Sequence, residues 1–177
     1  MCDPANEVYT LRVDSVFAPS NNTFVGFINI PLKNVIKAEL LSASIHANAL
    51  TTSYIYVYVE ELVSKFNDRT NLLYYVQGAG TQTTEGTAQT GGAVSNVNQI
   101  ATSIAAIPTE ESANDRTLFS VANNYPAEVN FIEPIRAIEK LTVKLLTSTG
   151  APVATPTGQP TFLVFRFTCS KPNICQY

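Results

Sequence analysis

Tryptophan is absent from this chain, histidine occurs once, cysteine three times, and charged residues make up only 14% of its 177 positions. Each shortage excludes something. A single histidine leaves little of the side chain that most often moves protons near neutral pH, so catalysis starts without its usual base. That residue, His46, stands inside an alternating strand pattern with no cysteine or carboxylate cluster at metal-ligand spacing around it, and it reads as a strand residue. Cys2, Cys169 and Cys175 make an odd count that fits reduced thiols better than a disulfide framework, and the interval between Cys169 and Cys175 is not that of a redox or zinc motif. Whether those two pair in an oxidising medium stays open. No window approaches the roughly 18 apolar residues of a membrane helix, and the opening "MCDPANEVYT" lacks the basic and apolar regions of a secretory signal. The expectation is a chain made and kept in the cytosol. The eleven basic and fourteen acidic residues are scattered, which leaves no footprint for nucleic acid or a membrane surface.

What the chain has in abundance is alternation. Hydrophobic residues make up 45% of it, enough for one domain over 1–177 that buries roughly 70% of its unfolded surface without staples. β-Branched and aromatic residues recur with period two, the pattern of strands that bury one face. The segments that show it are 8–17, 23–30, 34–47, 54–60, 72–77, 117–122, 129–132, 140–147 and 161–169. In 23–30, Phe24, Gly26, Ile28 and Ile30 share one side, and Pro31 is expected to end the strand because it offers no N–H. The stretch 34–47 is long enough to bend from one sheet to another. In 54–60, Ile55, Val57 and Val59 are the core side, and Tyr54, Tyr56 and Tyr58 share the other. Residues 78–92 ("GAGTQTTEGTAQTGG") form a Gly/Thr/Gln-rich stretch expected to be a flexible surface loop. Val94, Val97, Ile100, Ile104 and Ile107 are spaced like a helix face, which leaves 94–107 ambiguous by periodicity alone. Many strands, few helices and short connections indicate an all-β sandwich or barrel.

Chemistry is harder to find. The tetrapeptide NDRT occurs at 67–70 and 114–117, each copy followed by a strand-like run. Asn and Asp bond back to nearby backbone in turns, so two turns leading Arg and Thr into strands are the favoured reading over two sites. Glu60-Glu61 and Glu110-Glu111 are adjacent carboxylates, which on a strand point to opposite faces and do not flank one substrate. They read as solvated strand ends. The glycine-rich stretch lacks the lysine and helix of a phosphate loop. The sequon Asn21-Asn22-Thr23 reads as a loop. No cofactor, metal or catalytic residue is indicated, and no enzymatic activity is expected. The one suggestive surface is the face of Tyr54, Tyr56 and Tyr58, which suits a subunit contact, cross-strand packing or a glycan.

A longer combination carries a resemblance: "IATSIAAIP" at 100–108, "FIEPIRAIEKLTVKLLTSTGAPV" at 131–153 and "TFLVFRFTC" at 161–169, with "VIKAELLSASI" and "YIYVYVEEL" earlier. Together these resemble the single jelly-roll penton (vertex) and minor capsid proteins of large double-stranded DNA viruses and their virophage or polinton-like relatives. The resemblance covers roughly 34–169 and brings structural patterns without catalytic residues. It implies a single jelly-roll β-sandwich of two four-stranded antiparallel sheets. The eight strands in order would be 8–17, 23–30, 34–47, 54–60, 100–107, 117–122, 140–147 and 161–169. Segment 129–132 would extend the sixth, and the insertion between residues 62 and 99 would carry the flexible loop and an extra strand at 72–77. The implied function is that of a structural virion protein, assembled in the host cytoplasm and located at the capsid vertex. It would form homopentamers at icosahedral five-fold vertices and contact surrounding major capsid proteins and other minor capsid proteins. A non-vertex minor capsid or cement protein and a carbohydrate-binding β-sandwich are the alternatives.

Overall fold

The computed structural model describes residues 6–48, 53–63, 83–84, 87–88, 99–100, 102–109, 116–122 and 125–171. The extra strand expected at 72–77 lies outside them, as does the 78–92 loop apart from two short strands. The strands are β1 (Asn6–Asp14), β2 (Thr23–His46), β3 (Tyr54–Val59), β4 (Thr83–Thr84), β5 (Thr87–Ala88), β6 (Ala105–Pro108), β7 (Arg116–Ser120), β8 (Ala127–Leu146) and β9 (Phe162–Ser170). A 3-10 turn, Glu60–Leu62, follows β3. Every ladder among them is antiparallel. Seven strands join one curled sheet in the order β1-β9-β2-β8-β3-β6, with β7 also on β2, and β4 pairs with β5 alone. The all-β character expected from the alternation is what the chain adopts, with the antiparallel pairing that the resemblance implies.

Two long strands organise the sheet, and both cross a proline, one of them the Pro31 that the sequence pattern takes as a boundary. The segments 23–30 and 34–47 are one strand, β2, which runs through Pro31; 129–132 and 140–147 are likewise one strand, β8, which runs through Pro134. The reason is register. On β2 the pairing with β8 jumps from Phe27 opposite Lys140 to Leu32 opposite Ile138, so 28–31 bulge out of the ladder. On β8 it jumps between Ile135 and Asn130, so 131–134 do the same. A proline inside a bulge gives up no ladder hydrogen bond, which is where sheets tolerate it. The bulge also breaks the alternation: Ile30, expected beside buried Phe24, is 80% exposed. The change of neighbour from the end of β8 to β9 falls at this bulge, while within 34–47 the other edge passes from the start of β8 to β7. Residues 23–27 of β2 pair with 140–144 of β8, whereas from Val35 the strand runs along β9, and its last residues pair with β7.

Two four-strand runs result. One is β1, β9, the second half of β2, and β7; the other is the first half of β2, the end of β8, β3 and β6. The start of β8 lies on the same β2 edge as β7, so 127–130 extends that strand's row, covering the first half of the expected 129–132, before β8 continues into 140–146. Buried side chains from β1, β2, β3, β6, β7, β8 and β9 form one core. Leu163, Phe165 and Phe167 on β9 are fully buried, each worth about 1.5–3 kcal/mol of transfer free energy. Gly26 marks a close approach inside this core, since a Cβ there would stand 2.7 Å from Val13 Cγ1 on β1.

The segment 100–107 is a strand only from Ala105. Ile100 is helical, and its carbonyl accepts from both the N–H (3.1 Å) and the hydroxyl (2.7 Å) of Ser103, which closes a turn ahead of β6. The first strand stops at Asp14 instead of residue 17, leaving Phe17 wholly exposed in the loop that follows. Among the described residues no helix is long and apolar enough to cross a membrane.

Candidate functional site

The alternation of β3 sorts its side chains as its pattern requires: Ile55, Val57 and Val59 are buried in the core. The tyrosines opposite do not form one exposed platform. Tyr54 is 44% exposed, Tyr56 is half-buried, and Tyr58 is buried. The rings of Tyr54 and Tyr56 are 6.5 Å apart at 45°. Tyr58 is covered from the neighbouring strand, where Lys144 Nζ lies 5.6 Å from its ring centroid, within cation–π range. Burial, reinforced by the negative charges of Glu60 and Glu61, pushes the Tyr58 phenol above its ordinary pKa.

Glu61 explains why β3 ends where it does. Its carboxylate accepts the Thr142 N–H at 2.6 Å and the Thr142 hydroxyl at 2.7 Å, taking over from backbone the next position on the β8 edge. One member of the Glu60-Glu61 pair is therefore a clasp between strands and not a solvated strand end, because the 3-10 turn folds it back onto β8; Glu60 is exposed as expected. Glu110 and Glu111 lie outside the described residues.

Beside Tyr54 a cleft of about 530 Å³ opens between β6 and the start of β8, lined by Tyr54, Tyr125, Ala106, Pro108 and Glu128. Tyr125 carries no sequence signal, since it belongs to no alternating run. Its ring packs edge-on against buried Phe119 with centroids 5.6 Å apart. A second concavity of about 540 Å³ lies between loops 15–22 and 154–160. Its floor is tied by side chains: the hydroxyl of buried Ser15 donates to Asn21 Oδ1 (2.7 Å) and accepts the Thr161 N–H (2.9 Å). Asn21 Nδ2 donates to the Pro156 carbonyl (3.1 Å) and Asn22 Nδ2 to that of Val153 (2.7 Å). The sequon asparagine is thus a structural loop residue.

The remaining candidates fall in structural positions. His46 ends β2 opposite Arg116, whose Nε donates to Ser44 Oγ at 2.7 Å. Arg116 and Thr117 of the second NDRT copy enter β7 as expected; the first copy is outside the described residues. Burial pushes the Cys169 thiol up, and Cys175 lies outside the described residues. An ion chain missed by sequence reading crosses three strands: Arg166 to Glu39 (3.7 Å), Glu39 to Lys37 (3.3 Å) and Lys37 to Glu128 (2.7 Å). Its members lie up to about 130 positions apart, so no local spacing announces it. No group of three or more His, Cys, Asp or Glu among the described residues is placed to hold a metal ion. The two concavities are lined chiefly by aromatic, hydroxyl and aliphatic side chains. No protein-family model matches this chain, and no curated protein does.

Proposed function

We propose that this chain is a structural capsid subunit, a single jelly-roll penton protein that forms homopentamers at five-fold vertices and contacts the surrounding major capsid protein. The observation that carries the reading is the order of strand pairing. A single jelly roll has eight strands in two Greek keys, with strands one, eight, three and six in one sheet and two, seven, four and five in the other. The halves of β2 stand as strands two and three, β3 and β6 as four and five, β7 as six, the end of β8 as seven and β9 as eight. The two four-strand runs then have that order. The shared core supports the two runs as facing layers of a sandwich.

Exposed apolar side chains favour a subunit that is covered in use. Phe27 (81%), Ile30 (80%) and Ile132 (74%) stand in the open on or beside the two bulges. Apolar surface marks a protein contact where it is contiguous, and a pentamer contact would cover these side chains. Buried Tyr58 weighs against the carbohydrate-binding alternative, because it leaves Tyr54 as the one open ring of the three.

Native mass spectrometry of the full chain across concentration and salt tests the proposal, with a pentamer expected. Replacing Ile30 and Ile132 by Ser should leave the unfolding free energy of the monomer within about 0.5 kcal/mol of wild type while shifting the assembly toward monomer. A chain that stays monomeric both alone and with the major capsid protein overturns the reading. Glycan binding that Tyr54→Ala abolishes, with the assembly state unchanged, would instead establish the carbohydrate-binding module.

A further inference from the structure

Strand β6 is the last of its run among the described strands, and an edge strand presents backbone groups able to take another strand. Thr109 donates to the Ser53 carbonyl at 3.0 Å, and Ala106 stands opposite Tyr56. Antiparallel ladders alternate, so Ala105 and Ile107 turn their backbone groups toward β3, whereas Ala106 and Pro108 turn theirs to the open side. Pro108 has no N–H, which leaves the Ala106 amide as the strand's outward donor. That amide donates to the Tyr125 hydroxyl at 2.8 Å, and the same hydroxyl donates to the Ala106 carbonyl. One phenol thus satisfies both outward groups of Ala106, including the one outward N–H that a neighbouring strand would use.

We propose that Tyr125 is a gate on this edge: with its hydroxyl in place β6 takes no further strand, and without it β6 accepts an edge strand of a second copy of this chain. The strand the second copy offers is β1. It terminates the opposite run, is nine residues long without proline, and pairs with β9 alone among the described strands. Its charges are already paired, Arg12 with Asp14 at 3.4 Å and Glu7 with Lys171 at 2.7 Å, so they offer little of the charge repulsion that protects other edges. A β1-to-β6 contact uses two different surfaces and therefore propagates into rings or filaments. The inference stands on hydrogen-bond geometry and is independent of the capsid reading.

Tyr125→Phe tests it, because the ring keeps its place on Phe119 and only the hydroxyl is lost. Sizing and native mass measurement of the full chain should show species larger than the wild-type assembly, growing with concentration. Adding Ala106→Pro, which removes the outward donor, should restore the wild-type distribution. A folded Tyr125→Phe variant with the wild-type mass distribution overturns the proposal, as does association that persists in the double variant. Amide exchange on the wild-type chain provides a check that needs no variant. The Ala106 amide should be protected to the degree of the Ile107 amide, and exchange at the rate of an open edge amide overturns the gate.

Discussion

The two ends of the sheet meet the same requirement by opposite means. At the end where β1 gives way to β2 and β8 to β9, the connecting loops close on one another through Ser15, Asn21, Asn22 and Thr161, and Ser15 and Thr161 are buried. At the other end β2 and β8 turn between partners through the bulges at 28–31 and 131–134, which leave Ile30 and Ile132 in the open. Both manoeuvres free backbone groups from the ladder. Where those groups are buried, side chains of the right length must satisfy them, since an orphaned polar group costs about 1–3 kcal/mol. Where they are exposed, solvent can do so, and the side chains are left for other work. The loop end is therefore specified by stability, and the bulge end is open to specification by contact.

Removing the Ser15 hydroxyl breaks that contrast most sharply. Ser15→Ala orphans the buried Thr161 N–H and should lower stability by about 1–3 kcal/mol in urea denaturation. Asn29→Ala, in the exposed bulge, should stay within about 0.5 kcal/mol of wild type in the same assay. Equal losses at the two sites would erase the distinction.

Between the ends, Gly26→Ala should cost about 1–2 kcal/mol through overpacking, because its new Cβ meets the stiff Val13 side chain. Combining it with Val13→Ala should recover part of the loss, measured by thermal unfolding.

Pro31→Ala asks whether the bulge proline makes any native hydrogen-bond difference. Position 31 lies outside the ladder, so the expected loss is only about 0.4–1 kcal/mol, arising from a more flexible unfolded chain. A larger loss would mean that Pro31 holds the bulge by contacts in the folded state.

The smallest effect is at high pH. The hydrogen bond from Lys37 to Glu128, beside the second register shift, outweighs burial and raises the Lys37 pKa. A raised amine binds its proton more tightly when folded, so this contribution is complete below the unfolded lysine value of about 10.4 and is lost as pH rises through the folded one. Lys37→Gln should flatten that part of the wild-type stability profile and leave the neutral region's slope unchanged.

Much of the fold was legible locally. Ile55, Val57 and Val59 point into the core as their alternation requires, and Leu163, Phe165 and Phe167 do the same on β9. Pro31 was misleading because a proline ends a strand only where its N–H would have met a partner, and partner register is not written near the proline. The tyrosine face was legible as a face but not as a surface. Tyr58 is covered by Lys144, about 86 residues further on. Tyr125 and the Glu61 clasp were invisible for the same reason, since each acts on a backbone group of a distant strand.

By itself the sequence determined that the chain is built from strands around one apolar core, that a turn follows the first strand where Pro19, Ser20, Asn21 and Asn22 cluster, and which side of β3 and β9 is buried. These are consequences of period-two alternation and turn chemistry, which act over a few residues. Tertiary structure alone decided which strands neighbour one another, where β2 and β8 bulge, which tyrosine is buried and which hydroxyl closes the β6 edge. Each of those depends on a hydrogen bond or contact between residues brought together by folding, and no local pattern encodes the register that brings them there.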